Sequence, residues 1–336
     1  MKRVFIIMCA AIISASAWAQ PAIKLLPDKT VFLYADGKQA VKEIKDPVVA
    51  KKIENLNLEM KSDNGIEKSE EIGPDGNLSL VSKYARFDLY FPKNPSGKMV
   101  IVCPGGGYGF VSSYNEGVYV ADWMLQQNVA VAVVKYRLPN GHDTVPLEDV
   151  QNTFRYCRAH ASEWGVKSIG VMGFSAGGHL AASATTLYTD AETRPDFSVL
   201  IYPVISFDKA ITHRGTRENL IGDAAQADYR GGSSYEKYQE KMTAMAAKVE
   251  HYSLENRVDA NTPPVFLALC SDDTAVPAEN SIRFYMQCIN HGVKAEMHIF
   301  PNGGHGWGYN KYREKDWFGY AREEFHTSLS RWLRSL

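Results

Sequence analysis

From Leu78 onward the chain alternates short apolar runs with longer amphipathic stretches. Arg86-Phe87-Asp88-Leu89-Tyr90 switches between polar and apolar at every step, the pattern of an edge strand with one wet face. Residues 99–103, 129–134, 169–172, 199–202, 265–269 and 297–300 are nearly continuous apolar runs, as strands covered on both faces of a parallel sheet require. Helical patterns fall between them at 118–127, 147–164, 178–188 and 281–291, and a last one runs from Tyr320 to the C-terminus. Strand alternating with helix at this spacing predicts a doubly wound α/β fold around a mostly parallel sheet.

One connection breaks the rhythm. Between the runs at 199–202 and 265–269 lie turns at Gly215, Gly222 and Gly231-Gly232 and a helical pattern near 235–249. A structureless loop of that length is uncommon inside a compact domain, so residues about 205–262 are expected to form a cap insertion. Upstream, residues 20–77 are charge-rich and weakly patterned apart from Val31-Phe32-Leu33-Tyr34. They read as an N-terminal extension that packs on the edge of the main domain, residues 78–336, or covers part of its site.

The first nineteen residues carry Lys2 and Arg3, an apolar stretch from Val4 to Ile13 and the small-residue pattern Ala17-Trp18-Ala19. A secretory signal peptide, residues 1–19, is the expectation, and with it a periplasmic or secreted product. The apolar run is too short for a membrane-spanning helix, which needs ~20 residues. Cleavage would leave Cys103, Cys157, Cys270 and Cys288, an even number that allows one disulfide, although Cys103 and Cys270 end central strands where buried free thiols are ordinary.

At 336 residues and 45% hydrophobic, the chain is long enough to bury one large core. Its formal net charge is −1 and its cations are scattered, so nucleic acid and anionic membrane surfaces are disfavoured partners. Oligomeric state is not legible.

Chemistry concentrates at three strand ends. Gly173-Phe174-Ser175-Ala176-Gly177 follows the run at 169–172 and leads straight into a helix, which is the layout of a nucleophile elbow. A serine hydroxyl needs a base and an orienting acid, expected downstream in the order Ser, acid, His. His305, in Gly303-Gly304-His305-Gly306-Trp307-Gly308, is the base candidate. His179, His291, His298 and His142 lie on a helix, near a helix end, in a strand and in a turn, and are weaker. Two adjacent carboxylates, Asp272 and Asp273, follow the run at 265–269. Asp273 is favoured because it stands in a D-x-x-V-P pattern with Val276-Pro277, while Asp272 could bond the loop backbone instead. Pro104-Gly105-Gly106-Gly107-Tyr108 sits where esterases carry an HGGG-type loop, with Pro104 in place of the histidine. Gly106 and Gly107, with Ala176, are the candidate oxyanion amides. No His/Cys/Asp/Glu spacing suggests a metal site, and no cofactor is expected.

Taken together, CPGGGYGFVSSYNEG, VVKYRLPNG, PLEDVQNTFRYCR, IGVMGFSAGGHLAAS, RPDFSVLIYPVIS, TPPVFLALCSDDTAVPAENS and GGHGWG resemble α/β-hydrolase esterases of the acetylxylan-esterase type. That resemblance implies Ser175, Asp273 and His305 as a catalytic triad and Gly106, Gly107 and Ala176 as the oxyanion hole. It also implies an acetylated carbohydrate as substrate. Tyr108 and Trp307, beside the glycine loop and the histidine, are candidates to wall off a small acyl pocket. Glu116 and Arg137 read as a buried pair holding loops near the site. The alternatives are a feruloyl esterase or lipase-like carboxylesterase with a larger acyl pocket, a peptidase of the prolyl-oligopeptidase type, for which no N-terminal propeller is visible, and a non-catalytic carbohydrate-binding relative.

Overall fold

The structure, a computed structural model, describes residues 25–33, 64–68, 70–83, 85–222, 235–310 and 316–336. The expected signal segment and most of the N-terminal extension lie outside the described residues.

Eight strands form the main sheet. In chain order they are β1 Lys29–Phe32, β2 Arg86–Tyr90, β3 Lys98–Cys103, β4 Ala130–Lys135, β5 Ser168–Phe174, β6 Ser198–Ile201, β7 Val265–Cys270 and β8 Ala295–Phe300. Across the sheet they run β1-β2-β4-β3-β5-β6-β7-β8. β2 is antiparallel to both its neighbours, and every pairing from β4 to β8 is parallel.

β3 shows why the apolar runs are continuous. Met99, Ile101 and Cys103 point into one core, Val100 and Val102 into the other, as a period of two demands. The first core is closed by α2 (Val145–His160), α3 (Ser175–Thr186) and α6 (Glu279–Asn290) through Phe154, Leu180 and Phe284. The second is closed by α1 (Tyr119–Gln126) and α7 (Arg322–Ser335) through Met124, Phe325 and Trp332. Helices therefore cover both faces, which is the doubly wound arrangement.

Two edge assignments change. β2 is an interior strand because β1 pairs outside it, with Thr30 opposite Asp88. Its polar position does not face water: Asp88 is 5% exposed, accepts from Thr30 Oγ1 and pairs with Lys135. β8 is the true far edge, half-buried along most of its length, with Ile299 exposed.

Between β6 and β7 the chain forms α4 (Arg214–Ile221), α5 (Tyr235–Tyr252) and a single 3₁₀ turn at Leu254–Arg257. Arg137 does not pair with Glu116 as expected. It is buried against Asp149, which takes its backbone N–H at 2.8 Å and its Nη2 at 2.6 Å, fixing the loop after β4 to α2. A second, three-stranded antiparallel sheet joins Glu71–Ile72, Leu78–Ser79 and Phe110–Val111, so residues upstream of the main domain are stitched to the loop that follows β3. Cys103, Cys157, Cys270 and Cys288 are all buried free thiols. No described helix is long and apolar enough to cross a membrane.

Candidate active site

β5 ends at Phe174 in extended conformation and the next residue, Ser175, has φ +53° and opens α3. A left-handed non-glycine residue is strained and needs its surroundings to hold it. They do so by close approach: a Cβ on Gly173 would lie 2.0 Å from the Gly177 carbonyl oxygen, and one on Gly177 would lie 2.1 Å from that of Cys103. Only glycine fits at either place, and α3 is built from small residues because nearly all of it is buried.

Ser175 Oγ lies 2.7 Å from His305 Nε2, and His305 Nδ1 lies 2.6 Å from Asp273 Oδ2. With Nδ1–H donating to the carboxylate, Nε2 is left to accept the serine proton. Asp273 is held by its other oxygen, which accepts the N–H groups of Ala275 and Val276 at 2.9 Å each. Asp272 does something different: its carboxylate accepts from Gly303 and Gly304, tying the loop after β7 to the loop that carries His305.

The glycine loop lies directly against the elbow, since a Cβ on Gly105 would come within 3.0 Å of Ser175 Cβ. Its acceptors are all tied back. Pro104 O receives the Tyr136 hydroxyl at 2.7 Å, Gly106 O receives Gly109 N–H at 2.9 Å, and Gly107 O receives Asn219 Nδ2 at 2.8 Å. Gly105 N–H donates to Glu116 Oε2 at 2.7 Å. The N–H groups of Gly106 and Gly107 have no protein partner among the described residues. Ala176 stands in the first turn of α3, where helix geometry also leaves N–H groups unbonded. Donors without partners beside a nucleophile can receive an anion.

Tyr108 and Trp307 turn away from this cleft. Tyr108 has φ +58°, which throws its ring back into the core, where its hydroxyl donates to His179 Nδ1 at 3.1 Å. Trp307 is 4% exposed and stacks on Phe318 with ring centres 3.9 Å apart. Neither lines the cleft. Their effect on the site is indirect. His179 passes the Tyr108 bond on through Nε2–H to Tyr252 O at 2.9 Å, and burial pushes its pKa down to about 4, so it is a neutral connector. Trp307 packs edge-on to Tyr202, which packs edge-on to the His305 ring, each at 4.8 Å.

Sequence reasoning missed the strap formed by Glu116 and Tyr202. Tyr202 donates to Glu116 Oε1 at 2.8 Å and accepts from Gly308 N–H at 3.0 Å, so one hydroxyl joins the glycine loop to the histidine loop. It also missed His213, the N-cap of α4. His213 Nδ1 accepts from Thr216 N–H at 3.1 Å, and the residue lines the cleft; burial first, then the nearby His305, lowers its pKa. No local pattern marks the strap, because Tyr202 is remote in sequence from both Glu116 and Gly308.

Ser175, His305, Gly106 and Gly107 share a cleft of about 430 Å³ with His213, Phe110 and Asp75. A larger groove of about 950 Å³ between α5 and α6 contains neither Ser175 nor His305.

Residues 87–288, more than half of the chain, match the BD-FAE family. The chain belongs to that family. This BD-FAE chain is 36% identical over 264 residues to an acetylxylan esterase of Xylanibacter ruminicola, a match covering 77% of the chain and 50% of that protein. It is 30% identical over 223 residues to endo-1,4-beta-xylanase B of Butyrivibrio fibrisolvens, covering 62% of the chain and 32% of the xylanase. The BD-FAE chain thus spans half or less of the length of both relatives. The solved acetyl ester-xyloside bifunctional hydrolase from Caldicellulosiruptor lactoaceticus superposes with a TM-score of 0.62 at 26% identity, over 93% of this chain and 98% of that one. The fold is that of the α/β hydrolases.

Proposed function

We propose that the chain is a serine carboxylesterase that removes short acyl groups, acetyl above all, from plant-type polysaccharides or oligosaccharides. The observation that carries this reading is the hydrogen-bonded line from Ser175 Oγ through His305 to Asp273, set beside unpartnered loop amides in one cleft. Relatives named for acetylxylan and acetyl ester-xyloside hydrolysis support the substrate class.

In this mechanism Ser175 Oγ attacks the ester carbonyl carbon as its proton passes to His305 Nε2. Asp273, holding Nδ1–H, stabilises the imidazolium that forms. The oxyanion is received by the N–H groups of Gly106, Gly107 and Ala176. Collapse of the tetrahedral intermediate breaks the bond to the sugar oxygen, which leaves with the proton from Nε2. Water then attacks the acetyl-serine, with His305 again as base, and acetate departs as Ser175 regains its proton. Every proton and charge in the cycle is handled by these groups, so the mechanism draws on no metal or cofactor. Two further expectations belong to the proposal: residues 205–262 act as a cap over the cleft, and residues 1–19 export the enzyme to meet its polymer.

The test is acetate release from acetylated xylan by wild type and Ser175→Ala, with fluorophosphonate labelling of the nucleophile. Labelling of Ser175 alone, with acetate release lost in the variant, is expected. A wild type that cleaves octanoyl esters better than acetyl esters would overturn the acetyl reading in favour of a lipase-like role.

A further inference from the structure

The far rim of the cleft holds residues that the ester chemistry does not use. The turn between the first two strands of the small sheet places Asp75 and Asn77 on the cleft wall, facing the space above Ser175. This turn is fixed to its support. Gly76 has φ +79°, and a Cβ there would fall 1.8 Å from the Tyr114 ring, so the backbone rests directly on that ring. Ser113 Oγ donates to Gly76 O, and Gly73 N–H donates to Asn77 O at 2.8 Å.

Asp75 and Asn77 are organised with respect to each other. Asn77 Nδ2 donates to Asp75 Oδ2 at 2.6 Å and Asn77 N–H to Asp75 Oδ1 at 3.1 Å. Each carboxylate oxygen keeps further acceptor capacity, and the amide keeps its oxygen and a second N–H. Beside them is Phe110, two residues after Tyr108. Its backbone is pinned by the pairing of Phe110 with Ser79 and by its N–H to Gly106 O at 3.2 Å. Phe110 is 38% exposed, and no other ring of the described residues stacks on it.

An exposed aromatic face beside a linked carboxylate–carboxamide pair matches one ligand chemistry well. The C–H face of a pyranose covers the ring, while adjacent hydroxyls donate to the carboxylate and exchange hydrogen bonds with the amide. We infer that Asp75, Asn77 and Phe110 form a sugar subsite that holds the pyranose bearing or adjoining the ester, on the leaving-group side of Ser175. The inference rests on the carbohydrate-ester reading above and deepens it. It also gives the small sheet a purpose: the strand that follows the sugar-binding turn, Leu78–Ser79, pairs with Phe110–Val111, the strand that follows the oxyanion glycines, so one small sheet ties sugar position to carbonyl position.

The test compares kcat/KM on an acetylated xylo-oligosaccharide with kcat/KM on p-nitrophenyl acetate, whose leaving group has no pyranose. In Asp75→Ala and Phe110→Ala the ratio of the first to the second is expected to fall by about tenfold or more, chiefly through KM, a change typical of a lost hydrogen bond or stacking contact. Phe110→Trp keeps an aromatic face and should restore it. An unchanged ratio in both alanine variants, in an enzyme whose wild type works on both substrates, overturns the subsite alone. A wild type that hydrolyses p-nitrophenyl acetate but leaves the oligosaccharide acetylated overturns the carbohydrate reading and the subsite with it.

Discussion

The two walls of the cleft are built in opposite ways. The near wall, with Ser175, the glycine loop and His305, is made of three short segments at ends of strands of the main sheet, where glycines are demanded by contacts as close as 2.0 Å. The far wall is assembled from pieces remote in sequence: the turn at Asp75 and Asn77, Phe110 on the small sheet, and His213 at the start of α4. In the proposed function, the near wall carries the steps common to any ester and the far wall carries recognition of the group attached to it. Such a division would suit the geometry, since a proton path tolerates little displacement whereas a bound group can be held from several directions.

The sharpest way to break this comparison is within the near wall, where adjacent carboxylates are assigned different work. Asp273→Asn should lower kcat by roughly 10³- to 10⁴-fold, because the amide cannot hold the imidazole in the required tautomer or stabilise its charge. Asp272→Asn should mainly lower the unfolding midpoint, since it loosens the tie to Gly303 and Gly304. Steady-state kinetics and thermal melts of the two variants decide the matter, and the reverse ranking would exchange their roles.

The next largest effect concerns support rather than contact. Trp307→Ala removes a ring stacked on Phe318 and packed on Tyr202, so a loss of about 3–5 kcal/mol in unfolding free energy is expected. Rates on acetyl and butyryl esters should fall together, since the ring lies outside the cleft. A selective gain for butyryl esters would put Trp307 back on the acyl pocket.

His179 gives a pH signature of comparable size. Unfolded, its imidazole titrates near 6.5, while burial in the fold lowers that to about 4. Between those values the unfolded chain binds a proton that the folded chain refuses, so stability is complete above pH 6.5 and declines as the pH falls toward 4. The loss attributable to this residue is about 3 kcal/mol by the lower limit. Denaturant unfolding of wild type and His179→Gln at neutral pH and near the lower limit should show a shallower pH dependence in the variant; identical slopes would remove His179 as the cause. The smallest effect expected is none: EDTA should leave ester hydrolysis unchanged in a standard rate assay, and a loss restored by added metal would require a different mechanism.

What could be read from the residues alone follows the same division. The elbow was legible because a strand, a tight turn and a helix are local events, and the order Ser, acid, His follows from where successive strands end. The placement of strands was less so. Arg86 and Asp88 looked like the wet face of an edge strand because the alternation cannot reveal that Glu70 pairs with Arg86 and that Thr30 and Lys135 supply the partners of Asp88. Tyr108 and Trp307 were read as cleft walls from adjacency to site residues, yet a positive φ at Tyr108 and the stack on Phe318 send both rings the other way. Glu116 was read as holding loops near the site but with Arg137 as its partner, and Tyr202 was missed, since their strap exists only when the loops after β3, β6 and β8 meet.

The four free thiols among the described residues have a consequence for how the protein's integrity can be followed. All are buried, and burial pushes Cys270 and Cys288 up to about 12, so neither presents a thiolate to solvent at neutral pH. The described fold contains no cross-link among them, so a reductant has none to cut there. An alkylating reagent instead meets these sulfurs only when the fold opens, so its rate of uptake at them follows unfolding without an engineered label.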